Sequence, residues 1–372
     1  MIILNETAKT KAAFSEWQLT VLVMISGMSG MYFYPDSFGR WSGATLIISI
    51  ALTLISMGLL ARCYSLGTSK SFPGLLRESL GYIPTKIILA AAAVYFAAEI
   101  CRVTVKQTQM TGLFLLEKTP PQIIPAVTLL TVCFIIASGI RQVSRTAELL
   151  FPAIAIPLLF ILAMGILSLD LGELLPLLSP NKLPIDTFSE WLSPLGGITA
   201  AAYFAGYYEK RRLRRCLLSG TSALSVLCVG VLLCCAGVFS IEGTKHLAFP
   251  LTELSRVVSI GNITLNHRFD ILYIMIYNAV TLLSAGILYY CCCISLCGVF
   301  NVKSHSVFNF LLLPIIYLFS YLSLSDDTIT VVIADWGKLL FILVLVPTIT
   351  FAARLKKRKE KNQHVLSEGV QS

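Results

Sequence analysis

Residues 91–107, AAAVYFAAEICRVTVKQ, set Glu99, Arg102 and Lys106 inside an otherwise apolar run. Spacings of three and four residues put all three on one helical face, and Tyr95, one turn earlier, shares it. An ionised carboxylate at membrane depth is costly unless it meets a partner or water. Two uses follow from that cost. Glu99 pairs with Arg102 and faces the inside of a helix bundle, or it lines a polar pathway and contacts the amine of a ligand.

Two glycine-rich stretches carry a second chemistry. ISGMSGMYFYP, residues 25–35, holds Gly27, Met28, Ser29 and Gly30, and LSPLGGITAAAYFAGYY, residues 192–208, holds Gly196, Gly197, Ile198 and Thr199. Small residues spaced like Gly27 and Gly30 either let helices pack closely or mark a break in the helix. A break frees backbone N–H and C=O groups, which lipid cannot satisfy and a ligand can. Half-helix N-termini then offer partial positive charge to a carboxylate. A third polar face is formed by Asn278, Thr281 and Ser284 at i, i+3 and i+6. Ordinary hydrogen bonding between helices and a lining role both fit it.

Enzyme chemistry has no comparable footing. His246, His267, His305 and His364 fall in loops or the tail, and no phosphate cradle of the G-x-x-x-x-G-K type or nucleophile motif occurs. The 11 Cys lie mostly inside apolar runs without repeated C-x-x-C spacing, so neither a metal nor a structural disulfide is expected. No catalytic residue and no cofactor is implied.

The elements that must position these residues are membrane helices. The chain has 372 residues, 56% of them hydrophobic and 13% charged, against about 25% charged in soluble domains. Runs of about 20 apolar residues cross a hydrocarbon core of about 30 Å, and ten are expected: 14–34, 42–62, 85–116, 122–138, 147–169, 190–207, 216–241, 268–300, 306–323 and 330–353. Of the 29 Lys and Arg, 20 fall in one set of alternate loops and the tails. Lys and Arg in short loops stay cytoplasmic, so both termini are expected in the cytoplasm. Lys338 is counted with the opposite, outer loops. The formal charge of +9 is explained by anionic lipid beside those loops, and no aromatic-interleaved basic groove points to nucleic acid.

Ten spans with both termini on one side divide into two five-helix halves of opposite orientation, an inverted repeat. The expected organisation is a tail at 1–13, one repeat over 14–169, an outer loop over 170–189, a second repeat over 190–353 and a basic tail at 354–372. In such repeats substrates sit at helices broken at corresponding positions, here spans 1 and 6. An outer amphipathic helix is expected over 250–260. Pro250 opens it, Leu251, Leu254 and Val258 form its stripe, and Glu253 and Arg256 lie on the wet side. That exposed pair contributes only about 0.2–0.5 kcal/mol. Glu253, Arg256 and Arg268 are therefore candidates for gating or for docking a partner, beside the plainer reading of a solvated loop.

Five motifs in order, LEKTP, GIRQVSRTAELLFP, GELLPLLSPN, LSPLGG and FPLTELSRVVSIGN with HRFD after it, resemble the spore germination receptor B-subunit family, a branch of the amino acid–polyamine–organocation transporter superfamily. The resemblance runs from about Phe14 to Arg354. It implies a ten-helix fold like that of bacterial amino acid transporters and a role in sensing nutrients, most simply an amino acid, that wake dormant spores. It also implies a place in the spore inner membrane beside an A subunit and a lipoprotein C subunit. The alternative within the same fold is a stand-alone amino acid permease. Two departures bar carrying over a ligand identity: Ile198-Thr199 stands where the family commonly has an acidic residue after the glycine pair, and span 6 lacks a Pro in its second half. The fifth span has no Lys, the residue that proton-coupled relatives use there.

Overall fold

A computed structural model describes residues 15–29, 42–69, 71–170, 172–173, 195, 197–208, 210–257, 269–302, 304 and 306–369. All regular structure among the described residues is helical. Helix α1 spans Glu16–Met28, α2 Ser42–Leu66, α3 Phe72–Leu80, α4 Tyr82–Phe114, α5 Ile123–Ala137 and α6 Ile140–Leu167. A short segment follows, in which α7, Ala201–Phe204, lies between tighter turns at Ile198–Ala200 and Ala205–Tyr207. Then come α8 Lys210–Phe239, α9 Ile241–Lys245, α10 Pro250–Val257, α11 Phe269–Phe300, α12 Ser306–Ser323 and α13 Thr328–Leu340. A π turn at Phe341–Leu345 joins α13 to α14, Val346–Gly369.

Among the described residues, seven helices are long and apolar enough to cross a membrane: Leu46–Leu66, Tyr82–Phe114, Ile140–Leu167, Arg212–Phe239, Ile271–Phe300, Ser306–Ser323 and Thr328–Arg358. Their outward faces carry exposed apolar side chains such as Ile55, Leu149, Ile156, Phe310 and Phe319, a surface that lipid tails rather than water solvate. With the family evidence given below, this makes the chain a multi-pass membrane protein. The described parts of the other three expected spans are shorter or irregular. The 13 residues of α1 rise about 20 Å, the 15 of α5 about 22 Å, and 198–207 is interrupted by changes of helical type.

Local chemistry sets the ends. Ser15 caps α1 and exchanges hydrogen bonds with Gln18 in a capping box. Gly81, with φ of 93°, and Gly139, with φ of 83°, make left-handed turns into α4 and α6 that a side chain would strain. Because Gly139 places the turn there, α6 begins at Ile140, seven residues before the expected Ala147. The amphipathic α3 was not anticipated: Ser71 caps it, Pro73 occupies its first turn, and Phe72, Leu75 and Leu76 are its buried side. Helix α10 matches the expected outer helix over Pro250–Val257, and positions 258–260 lie outside the described residues.

The core is built around α4. It packs against α11, α12 and α13, while α1 lies between α6 and α8 and also touches α11. One expectation is corrected here. Lys338 is not in an outer loop; it lies in α13 and is fully buried, because a carboxylate on α4 receives its ammonium.

Candidate functional site

The end of α1 and the start of the 198–207 segment touch through their backbones. The Gly197 N–H donates to the Ser26 carbonyl at 3.0 Å and approaches the Ser29 hydroxyl at 3.0 Å, while Ser29 itself donates to Ser26 at 2.9 Å. The Ser284 hydroxyl of α11 donates to the carbonyl of Ile25. Buried groups at a helix terminus need such partners, and here two other spans supply them. Ser26, Ser29, Thr199 and Ser284 are buried, the last two fully.

The glycines explain how closely the pieces approach. A Cβ on Gly197 would meet Leu288 Cδ2 at 2.5 Å and the Ser26 carbonyl at 3.2 Å. A Cβ on Gly27 would run into the Leu224 side chain and lie 3.3 Å from the Leu195 carbonyl. Gly27 is thus a packing glycine one residue before Met28, the last residue of α1. Met28 and Ile198 are buried beside it. Gly30, Gly196 and Arg268 lie outside the described residues.

Tyr95 of α4 reaches this place. Its hydroxyl and that of Thr199 are 2.7 Å apart, and a Cβ on Gly337 of α13 would run into its ring. Tyr95 is therefore wedged between the broken segment and α13. Phe96 and Tyr203 pack edge to face beside it, with centroids 5.2 Å apart.

Beyond Tyr95, α4 meets opposite charges at three levels, two on α13 and the third at Asp327, the residue just before it. Glu99 Oε1 lies 3.7 Å from Lys338 Nζ, Arg102 Nη1 lies 3.9 Å from Asp335 Oδ1, and Lys106 Nζ lies 3.4 Å from Asp327 Oδ2. Positions rise along α4 as they fall along α13, so the helices run antiparallel. The expected Glu99–Arg102 pair is present at 2.6 Å, but as part of this ladder. The four inner groups are at most 4% exposed, whereas Lys106 and Asp327 are 18% and 30% exposed. The ladder runs from the core toward the surface.

Asn278 lies apart from the break. Its carbonyl oxygen accepts from Gln107 at 2.9 Å and from Thr111 at 3.0 Å, three turns along α4 from Tyr95. Thr281 donates only within its own helix, to Tyr277 and Asn278. Of the polar face on α11, Ser284 is the member that reaches α1. On α10, Arg256 is 3.3 Å from Glu253 and its guanidinium lies over the Phe114 ring, 4.7 Å from the centroid. Leu251 and Leu254 are buried, as expected of the stripe.

The opposite end is also tied together. Gln18 of α1 donates to Glu148 of α6 at 2.7 Å, and Arg212 of α8 meets Glu16 at 2.5 Å. Between spans, the Glu78 carboxylate accepts from the Thr68 and Ser69 amides at 3.1 Å, and Lys356 donates to the Glu78 carbonyl at 3.3 Å. Burial pushes the Glu78 carboxyl up, but the Ser69 and Thr68 donors and the Lys356 charge outweigh it, leaving it below the usual carboxylate range.

Residues 18–328 match the family described as "Spore germination protein". The chain belongs to that family. A curated relative, spore germination protein YndE of Bacillus subtilis (strain 168), is 22% identical over 258 residues, covering 68% of this chain and 70% of YndE. Among solved structures, MhsT in complex with L-phenylalanine superposes with a TM-score of 0.63 over 93% of this family member and 99% of MhsT. Identity to MhsT is 16%, so the two share a fold. The family and the fold are those of permease-like membrane proteins rather than enzymes.

Asp335, Lys338 and Gly337 are the site residues that the sequence reading left out. Asp335 and Lys338 stand three apart in VIADWGKLLF, the same i, i+3 signal that singled out Glu99 and Arg102.

Proposed function

We propose that this protein is the B subunit of a nutrient germinant receptor, binding a small amino acid at the meeting of α1 and the 198–207 segment. The observation that supports the reading is the direct backbone contact between the end of α1 and the start of the 198–207 segment through Gly197, Ser26 and Ser29. Helix breaks are tolerated at membrane depth where they face protein or a ligand. Tyr95, Ser29 and Thr199 supply hydroxyls around Met28 and Ile198, an apolar floor suited to a short aliphatic side chain. MhsT, of the same fold, was crystallised with L-phenylalanine, which supports an amino acid as the ligand class.

The three short segments complete the architecture. With α1, α5 and 198–207 added to the seven long helices, ten spans form a 5+5 inverted repeat, and the two irregular ones are its first and sixth members. Both termini then lie in the cytoplasm and the protein resides in the spore inner membrane. Glu99, Gly196 and Gly30 belong to the ligand region and Asn278 and Thr281 to its outer approach. Glu253, Arg256 and Arg268 provide a surface for gating or for the A subunit and lipoprotein C subunit. Ligand binding shifts a conformational equilibrium to the extent that it favours one state over the other.

The test is the germination response of spores to single amino acids, comparing the native chain with Gly197→Leu at matched protein level and partner assembly. Selective loss or altered preference is expected. An unchanged response removes the ligand from this contact. Amino acid flux by the purified chain in vesicles, without partner subunits, would instead favour the stand-alone permease.

A further inference from the structure

The ladder between α4 and α13 is uneven. Glu99 Oε1 receives Arg102 at 2.6 Å and Lys338 at 3.7 Å. Asp335 has Arg102 only at 3.9 Å, and its Oδ1 is buried and accepts no hydrogen bond; the same holds for Glu99 Oε2. A buried carboxylate oxygen without a donor is the costly member of an ionic cluster. Protonating it takes the negative charge off that oxygen.

The surroundings give a proton a route and a consequence. The next pair outward, Lys106 with Asp327 at the start of α13, is partly exposed and is the surface-facing ionic pair nearest the inner cluster along α4. Inward, Gly337 lies between Asp335 and Lys338 in α13 and carries the Tyr95 ring, whose hydroxyl holds Thr199. The titratable and charged groups facing the cluster are Tyr95, Glu99, Arg102 and Lys106 from α4 and Asp327, Asp335 and Lys338 from α13. Helix α11 approaches α4 with Asn278 and the Cys292 thiol, and α12 accepts the Cys101 thiol at the Ile316 carbonyl.

We propose that Asp335 is a proton-binding site, exchanging with the surface along the Lys106–Asp327 rung, and that its charge state is felt at the helix break through Gly337 and Tyr95. The bond formed is an O–H on the Asp335 carboxyl, with the proton taken from water and returned to it. Neutral Asp335 weakens the attraction between Asp335 and Arg102 and loosens α13 from α4 beside the Tyr95 wedge. Only the last link, to ligand, rests on the function proposed above.

Infrared difference spectroscopy of the full chain in lipid vesicles, between mildly acidic and mildly alkaline buffer and without ligand, tests this. A carbonyl band of a buried protonated carboxylic acid is expected on the acidic side. It should be unchanged in Glu117→Gln, an exposed control, absent in Asp335→Asn and displaced in Asp335→Glu. No such band, or a band that survives Asp335→Asn, overturns the site. If Asp335→Asn does not fold, Asp335→Glu decides, and an undisplaced band overturns it. Thr199→Val should move the midpoint of the band's titration, and an unmoved midpoint overturns the link to the break. None of these readouts uses an amino acid, so a failed germination test leaves them standing.

Discussion

The hydroxyls of Tyr95 and Thr199, 104 residues apart in sequence, lie 2.7 Å from each other in the buried core. This contact fastens the longest helix of the bundle to its most irregular segment. Tyr95→Phe leaves the ring on Gly337 and strands the Thr199 hydroxyl, at a cost of about 1–3 kcal/mol. The amino acid concentration for half-maximal germination should rise by about tenfold, the equivalent of about 1.4 kcal/mol. The double variant Tyr95→Phe with Thr199→Val should be less impaired in stability than the sum of its singles, because no buried hydroxyl is then left alone. Thermal unfolding and spore dose–response curves check the two parts.

Gly337→Ala places a methyl against the Tyr95 ring. Overpacking of this kind costs about 1–3 kcal/mol, so the melting temperature of the purified chain should fall. Gly58→Ala and Gly286→Ala are the controls, since a Cβ there meets nothing within 4 Å. They should be neutral or gain up to about 1 kcal/mol from helix propensity.

Removing one member of the buried ladder should be worse than removing two. Lys338→Met leaves Glu99 with one cation fewer at a fully buried position, and loss of one partner from such a pair costs about 3–5 kcal/mol. Adding Glu99→Gln should recover part of that loss. Denaturation of the single and double variants in the same detergent measures the coupling.

Glu78 gives a pH dependence outside the membrane spans. Its carboxyl is held below the usual range in the folded chain. The stability it contributes is therefore present above its unfolded value of about 4.3 and is lost as pH falls through the lower folded value. Hydrogen exchange at the Thr68 and Ser69 amides should be slow near neutrality and quicken on acidification relative to other loop amides. In Glu78→Gln that acid-dependent step should vanish.

The helical class and the face of α4 were legible because they rest on composition and on a period of 3.6, both local properties. Tyr95, Glu99, Arg102 and Lys106 fell on one face, and the structure keeps them there. The small residues singled out at Gly27, Ser29 and Gly197 are where the end of α1 meets the 198–207 segment. What faces α4 was not, since the pairing of Glu99 with Lys338 joins positions far apart in sequence, and periodicity carries no partner. Counting Lys338 with the loops followed from a rule about surface charge, which a fully buried lysine does not obey. How far apart Asn278 and Thr199 touch α4, about three turns, is set by tertiary packing, which the spacing of residues in one helix does not carry.

The π turn at Phe341–Leu345 holds one residue more per turn than the helix on either side. The halves of the α13–α14 rod are therefore out of phase: the face presenting Asp335 and Lys338 to α4 is not the face that continues toward Lys356. Excising a single residue within 341–345 would restore regular winding and turn everything beyond it by about 100°. The inner ladder would stay in place while Lys356 swung off the Glu78 carbonyl. At this point on the chain, a deletion acts as a rotation.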